Sequence, residues 1–272
     1  MTVSPDQWVE AHLGPIAEIL SSVVFYAITV AGTEVPLIVI WTSLAALFFT
    51  FYLRFINVRA LGLAIRHARG DFSDPNAPGE ISHFKAVSTA VSGTVGVGNI
   101  GGVAVAISLG GPGAAFWLFI AGLLSMSTKL VECTLGVKYR RYNADGSVSG
   151  GPMFYLEAYF SERGRPLLGK SMGAFYALAL VIGCLSIGNM FQSNQAYAQV
   201  LVITGGPASA LVDMGWLFGL GLAAIVAAVI IGGIQSIARV AAILVPVMAL
   251  LYVVSCVVVI TLSAEYLPGA LQ

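Results

Sequence analysis

Five glycines and one asparagine carry the chemistry of this chain. Gly93, Gly96, Gly98, Gly101, Gly102 and Asn99 fall within Ser88–Ser108, STAVSGTVGVGNIGGVAVAIS. The stretch is apolar enough to enter a bilayer, yet glycine costs about 1 kcal/mol relative to alanine inside a helix. The cluster predicts a span that unwinds near Gly96–Asn99. Unwound backbone at membrane depth is tolerated only where protein buries it or where it lines a cavity. The segment is therefore a candidate binding site. An outer half-helix starting near Gly98 would aim free N–H groups and a positive dipole end at the break, where a carboxylate fits. An inner half-helix ending near Val95 would leave carbonyl oxygens there. With the Thr94 hydroxyl and the Asn99 amide oxygen these are hard neutral ligands for a bare alkali cation. Discontinuous helices hold substrate and ion in this way in secondary carriers. The same glycines also permit close helix packing, since Gly98 and Gly102 form a small-xxx-small pair; Asn99 in the same turn still needs a polar partner.

No ionisable residue lies between Ala86 and Leu124. A proton path usually carries Asp, Glu or His, so this absence favours sodium as the coupling ion. Glu132 follows Lys129 by three residues and either pairs within its helix or makes a gating contact to the break. A second polar cluster, GNMFQSNQAY, sets Asn189, Gln192 and Ser193 on one helical face, with Asn194 and Gln195 one step round. Amides buried in a bilayer must find partners. Asn189 and Gln192 either face the break and bind substrate or join helices to one another. Gly96–Gly101, GVGNIG, matches the dinucleotide fingerprint in letters only. That motif needs a preceding strand and an acidic residue about 20 positions on, and the next acidic residue here is Glu132.

The elements that position these residues are membrane spans. Of 272 residues 58% are hydrophobic and 10% charged, with mean hydropathy +0.89; an ordinary soluble domain carries roughly 25% charged residues. At about 20 apolar residues per span, six are predicted: Val35–Phe55, Ala86–Leu109, Gly113–Val137, Met172–Ile203, Gly215–Gly233 and Ala238–Leu262. Ile16–Ala31 reads as an interfacial helix, and GGPMFYLEAYFSERG as a short amphipathic helix on the inner membrane surface. Three Gly-Gly-Pro turns punctuate the plan, at Gly110–Pro112, Gly150–Pro152 and Gly205–Pro207. Twelve of the thirteen Lys and Arg fall in alternate loops, at 54–85, 138–170 and 239, which places those loops in the cytoplasm and both ends of the chain outside. The opposite side carries Asp6, Glu10, Glu18, Glu34, Asp213 and Glu265. Zero net charge excludes a basic nucleic-acid surface. Cys133, Cys184 and Cys256 stand apart in apolar runs, without metal or disulfide spacing. The first ten residues contain no basic stretch of a signal peptide.

The run TVGVGNIGGVAVAISLGGPGAAFWLFIAGLLSMSTKLVECTLGVKYR, followed by GGPMFYL and GNMFQSNQ, resembles the alanine or glycine:cation symporter family. The resemblance extends from about Val35 to the last residue. It implies an all-α integral membrane protein of the leucine-transporter type (APC superfamily). It implies a carrier and not an enzyme, taking alanine or glycine with sodium across the cell (inner) membrane and needing no cofactor beyond the coupling ion. By motif, Val97, Gly98 and Asn99 correspond to the segment that holds the substrate carboxylate and sodium. Ser92, Thr94 and Val95 correspond to carbonyl and hydroxyl sodium ligands, and Asn189 and Gln192 to polar substrate contacts. After the GGPG turn the family is expected to read Phe-Trp-Met-Trp; Phe116-Trp117-Leu118-Phe119 stands here, and Ser125 replaces an expected glycine. The implied organisation is an extracellular tail and interfacial helix (1–34), an extra transmembrane helix (35–56), a cytoplasmic loop (57–85), the first five-helix inverted repeat (86–262) and an extracellular tail (263–272). The second repeat of such a fold is absent from these residues, so the expectation includes a missing C-terminal half in cis or in trans. The competing expectations are a non-transporting membrane subunit, a fragment needing a partner chain, or a small channel.

Overall fold

The computed structural model describes residues 5–30, 32–73, 81–212, 214–266 and 269. Ala31, Asp213, residues 1–4 of the N-terminal tail, part of the 57–85 loop and half of the C-terminal tail lie outside the described residues. The chain divides into two units, Met1–Arg59 with Leu118–Val131, and Ala60–Trp117 with Glu132–Gln272.

The first unit opens with α1 (Pro5–Val24) and a hairpin of β1 (Ala27–Val30) and β2 (Thr33–Pro36). The expected interfacial helix is thus displaced toward the N-terminus and gives way to strands. Helix α2 (Leu37–Tyr52) follows, and α3 (Ile56–Arg59) closes the segment. In this unit α2 and the middle of α7 (Pro112–Lys138) meet through hydroxyls. Thr50 Oγ1 lies 3.1 Å from Ser127 Oγ and donates to the Ala46 carbonyl at 2.7 Å. Asn57 Nδ2 donates to the Leu123 carbonyl at 2.9 Å. Between apolar helices such polar contacts are the directional part of the packing.

The second unit contains α4 (Leu61–Arg69), α5 (His83–Thr94), α6 (Gly101–Gly110) and both ends of α7. A hairpin of β3 (Arg141–Tyr142) and β4 (Val148–Ser149) leads to α8 (Pro152–Glu162), α9 (Pro166–Gly183), α10 (Phe191–Ile203), α11 (Gly215–Ile230) and α12 (Gly233–Leu262). All three Gly-Gly-Pro turns use one device. The glycine before proline has positive φ: Gly111 at 66°, Gly151 at 127° and Gly206 at 61°. The proline then stands at the first or second position of the next helical segment, where its missing N–H costs nothing and its fixed φ is already helical.

Among the described residues three helices are long and apolar enough to cross a membrane: Pro112–Lys138, Pro166–Ile203 and Gly233–Leu262. A fourth candidate is the pair His83–Thr94 and Val97–Gly110, bent by 71° at its break. The first and fifth predicted spans are shorter than expected, at 16 helical residues each in α2 and α11. At 1.5 Å per residue that is about 24 Å, against about 30 Å of hydrocarbon. Large apolar side chains face outward throughout, with Leu109 85% and Ile231 84% exposed, the pattern of a surface solvated by lipid or by further helices.

The amphipathic segment after Gly150–Pro152 is helical, and its apolar face has a protein partner. Helix α8 packs on α9, where a Cβ at Gly169 would lie 2.9 Å from the Glu157 carbonyl oxygen and one at Gly173 2.9 Å from that of Met153. Two glycines four residues apart let one backbone approach the other. Arg141 pairs with Glu157 at 3.0 Å and tethers the β3–β4 hairpin to α8.

Candidate functional site

The break sits where glycine density places it. Helix α5 ends at Thr94, Val95 and Gly96 are extended, Val97–Asn99 form one 3-10 turn, and α6 begins at Gly101. The outer half-helix therefore resumes as α-helix three residues later than Gly98. In a continuous helix the Gly96 and Val97 N–H groups would donate to the carbonyls of Ser92 and Gly93. Here Gly96 N–H donates to Asn99 Oδ1 at 3.1 Å and Val97 N–H to Gln192 Oε1 at 3.0 Å. Both donors are thus held by side-chain amide oxygens.

Each predicted residue has a definite place. Asn99 closes the turn twice, since its own N–H donates to the Gly96 carbonyl at 3.0 Å. Its Oδ1 retains a second lone pair. Ser92 Oγ donates to the Thr89 carbonyl at 2.7 Å and Thr94 Oγ1 to the Ala90 carbonyl at 2.9 Å. With the protons committed along the helix, the oxygen lone pairs of both hydroxyls are what a cation would meet. The last carbonyls of α5 lack the ladder partners that a continuing helix would supply.

Gln192 enters from a helix of unusual construction. Between α9 and α10 the backbone of Cys184–Met190 is π-helical, so the long helix carries a local widening just before Gln192. Such widenings recur at functional sites because they rotate the following residues relative to those before. With Oε1 engaged by Val97, Gln192 keeps two amide donors on Nε2.

A cavity of about 590 Å³ adjoins the break, lined by Val91, Val95, Gly96, Val97, Asn99, Ile100 and Gln192, and by α12 residues Met248, Ala249, Tyr252 and Val253. Its walls are apolar apart from the amides and Tyr252, the composition of a small-molecule pocket. A second cavity of about 630 Å³ lies between α10 and α11 and takes in Asn189, Gln192 and Ser193, so these three do share a face. Gln192 borders both spaces, Asn189 only the second. Ser92, Thr94, Gly98 and Glu132 are not among the residues lining either cavity. Glu132 stays on the last third of α7. The α12 residues had no signal in the sequence, apart from a single tyrosine in a uniformly apolar run.

An unwound, amide-capped break beside an apolar cavity of ligand size is an arrangement suited to holding a small molecule within a helical membrane protein. Comparison with known proteins makes this specific. The sodium:alanine symporter family matches residues 18–272, and the chain belongs to that family. It is 38% identical to the sodium/alanine symporter of Methanococcus maripaludis over 221 residues, 81% of this chain and 47% of that protein. It is 34% identical to an uncharacterized transporter of Haemophilus influenzae over 236 residues, 87% of this chain and 48% of that protein. A Bacillus subtilis protein named as a probable sodium/glutamine symporter is 33% identical over 225 residues, 83% of this chain and 44% of that protein. The chain thus spans about half the length of the curated relatives it matches.

Proposed function

We propose that this chain serves sodium-coupled symport of small neutral amino acids, alanine foremost, across the cell membrane. The observation that carries the reading is the Thr94–Gly101 break with Gln192 bonded to it. It joins a polar, unwound backbone to an apolar cavity of ligand size, which a packing module would not need. In this reading the Val97–Asn99 turn receives the substrate carboxylate through the Gly98 N–H and the Asn99 side-chain amide, while Val97 N–H holds Gln192, whose Nε2 donors also face the carboxylate. Asn189 acts from the neighbouring cavity. The substrate side chain occupies the space in front of Met248, Ala249 and Tyr252. Sodium takes the oxygens of Ser92, Thr94 and Val95 and the free lone pair of Asn99. Glu132 acts as a gate on the cytoplasmic side. The arrangement of 86–262 is that of the first repeat of a leucine-transporter-type fold, with 35–56 as an extra helix, the basic loops inside and both ends of the chain outside.

The family membership and the sodium/alanine symporter relative support the ion and substrate class. The test is uptake of radiolabelled alanine by the natural protein in proteoliposomes. Uptake is expected only with an inward sodium gradient, with glycine and serine competing. Uptake driven equally well by a proton gradient in sodium-free buffer would remove the sodium assignment. A second substrate, glutamine, is favoured by the size of the cavity, about 590 Å³, and by the glutamine named for one relative. Unlabelled glutamine in the same assay separates the two.

A further inference from the structure

We propose that Gly96 is a positioning residue, whose bare Cα is the seat that aligns the Gln192 amide on the unwound segment. The inference rests on the substrate-site reading above and extends it to a glycine of the cavity wall that has no side chain to offer a ligand. A Cβ at Gly96 would lie 2.9 Å from Gln192 Nε2, 3.2 Å from Oε1 and 3.3 Å from Cδ. The whole amide group therefore lies over this glycine. The other four glycines of the stretch differ. At Gly93, Gly98 and Gly102 a Cβ would meet nothing within 4 Å, and at Gly101 only the Val97 side chain at 3.7 Å.

What Gly96 supplies is room, not backbone freedom. Its φ of −147° and ψ of −166° are extended values that any L-residue adopts. The adjacent Val97 N–H holds Gln192 Oε1 at 3.0 Å, so the amide is fixed by a surface beneath it and a donor beside it. This contact joins residues 95 apart in sequence, from the break to the helix that follows the π-helical segment. Alanine at position 96 leaves the backbone unstrained and pushes only the end of a flexible side chain. It lifts the Gln192 amide off Val97 N–H and turns its Nε2 donors away from the substrate.

The test is a double-mutant cycle in the natural protein, with wild type, Gly96→Ala, Gln192→Ala and the double variant. Apparent alanine constants are measured in proteoliposomes and thermal unfolding midpoints in detergent. Gly96→Ala is expected to raise the apparent constant about tenfold, as loss of one directed hydrogen bond does, with maximal rate and sodium dependence kept. The double variant is expected to be no worse than Gln192→Ala alone, the non-additivity of two residues sharing one contact. Additive effects on the apparent constant overturn the proposal. If wild type takes up no alanine, the transport reading fails, and the unfolding cycle then decides: coupled midpoints sustain the seat, additive ones overturn it. If Gly96→Ala yields no folded protein, Gln192→Asn replaces it, being one methylene too short to reach Val97. Unchanged uptake in that variant likewise overturns the proposal.

Discussion

Asn99 and Gly96 are tied by two reciprocal hydrogen bonds, Gly96 N–H to Asn99 Oδ1 at 3.1 Å and Asn99 N–H to the Gly96 carbonyl at 3.0 Å. The pair closes the single turn that replaces α-helix at the middle of the bent span. An amide side chain satisfies a backbone donor that would otherwise stand bare at membrane depth, where each unpaired group is costly. In this position Asn99 shapes the break and still has one lone pair to offer a cation.

Asn99→Ala is therefore expected to abolish sodium-dependent alanine uptake. It removes the proposed ion ligand and uncaps Gly96 at once, a loss of about 1 kcal/mol for the hydrogen bond alone. Uptake by the purified variant in proteoliposomes is the measurement, and a wild-type rate would remove Asn99 from the site.

Gln192→Ala removes the proposed amide donors to the substrate and the partner of Val97 N–H, but none of the proposed sodium oxygens. The apparent alanine constant should rise roughly tenfold, since about 1.4 kcal/mol separates a made from an unmade directed bond. The sodium activation curve should keep its midpoint, because the proposed sodium oxygens belong to Ser92, Thr94, Val95 and Asn99. Initial rates against alanine and sodium separate the two. No change in either would return Gln192 to a role in joining helices.

The sequence placed the break well because glycine carries a local cost that needs no tertiary knowledge. The turns before Pro112, Pro152 and Pro207 were legible for the same reason. The residues that satisfy the break were not legible as such. That Gln192 rather than Asn189 reaches Val97 depends on the π-helical segment at Cys184–Met190, which no simple periodicity anticipates. Met248, Ala249 and Tyr252 join the cavity because α12 packs along α5, where Ser88, Ala238, Ala241 and Val245 are buried. A thirty-residue apolar helix does not show which face it will bury. That α8 rests on α9 was not legible either, because amphipathicity records an apolar face and not what covers it.

The glycines beneath α8 give a stability prediction. Gly173→Val places side-chain atoms where a Cβ alone would be 2.9 Å from the Met153 carbonyl oxygen. Backbone cannot yield as a side-chain end does, so α8 must lift. Overpacking of this kind costs about 1–3 kcal/mol. The thermal midpoint in detergent should fall, while Glu157→Gln, which breaks only the partly exposed pair with Arg141, should shift it little. Equal midpoints for Gly173→Val and wild type would mean that α8 does not rest on α9.

Ala249 gives the sharpest test of where the substrate side chain lies. It stands on the α12 wall of the cavity with Met248 and Tyr252, across from the break. Ala249→Phe adds a ring to that space and leaves the Asn99 and Gln192 side chains in place. If the side chain of the substrate points toward α12, the ring should exclude larger amino acids more strongly than glycine, which has no side chain to displace. One extra or missing methylene in an apolar pocket discriminates by about 10–200-fold. Competition of glycine, alanine, serine and glutamine against labelled glycine should thus show a steep loss with side-chain size in the variant. Uniform loss for all four would place the side chain elsewhere and leave Ala249 as packing alone.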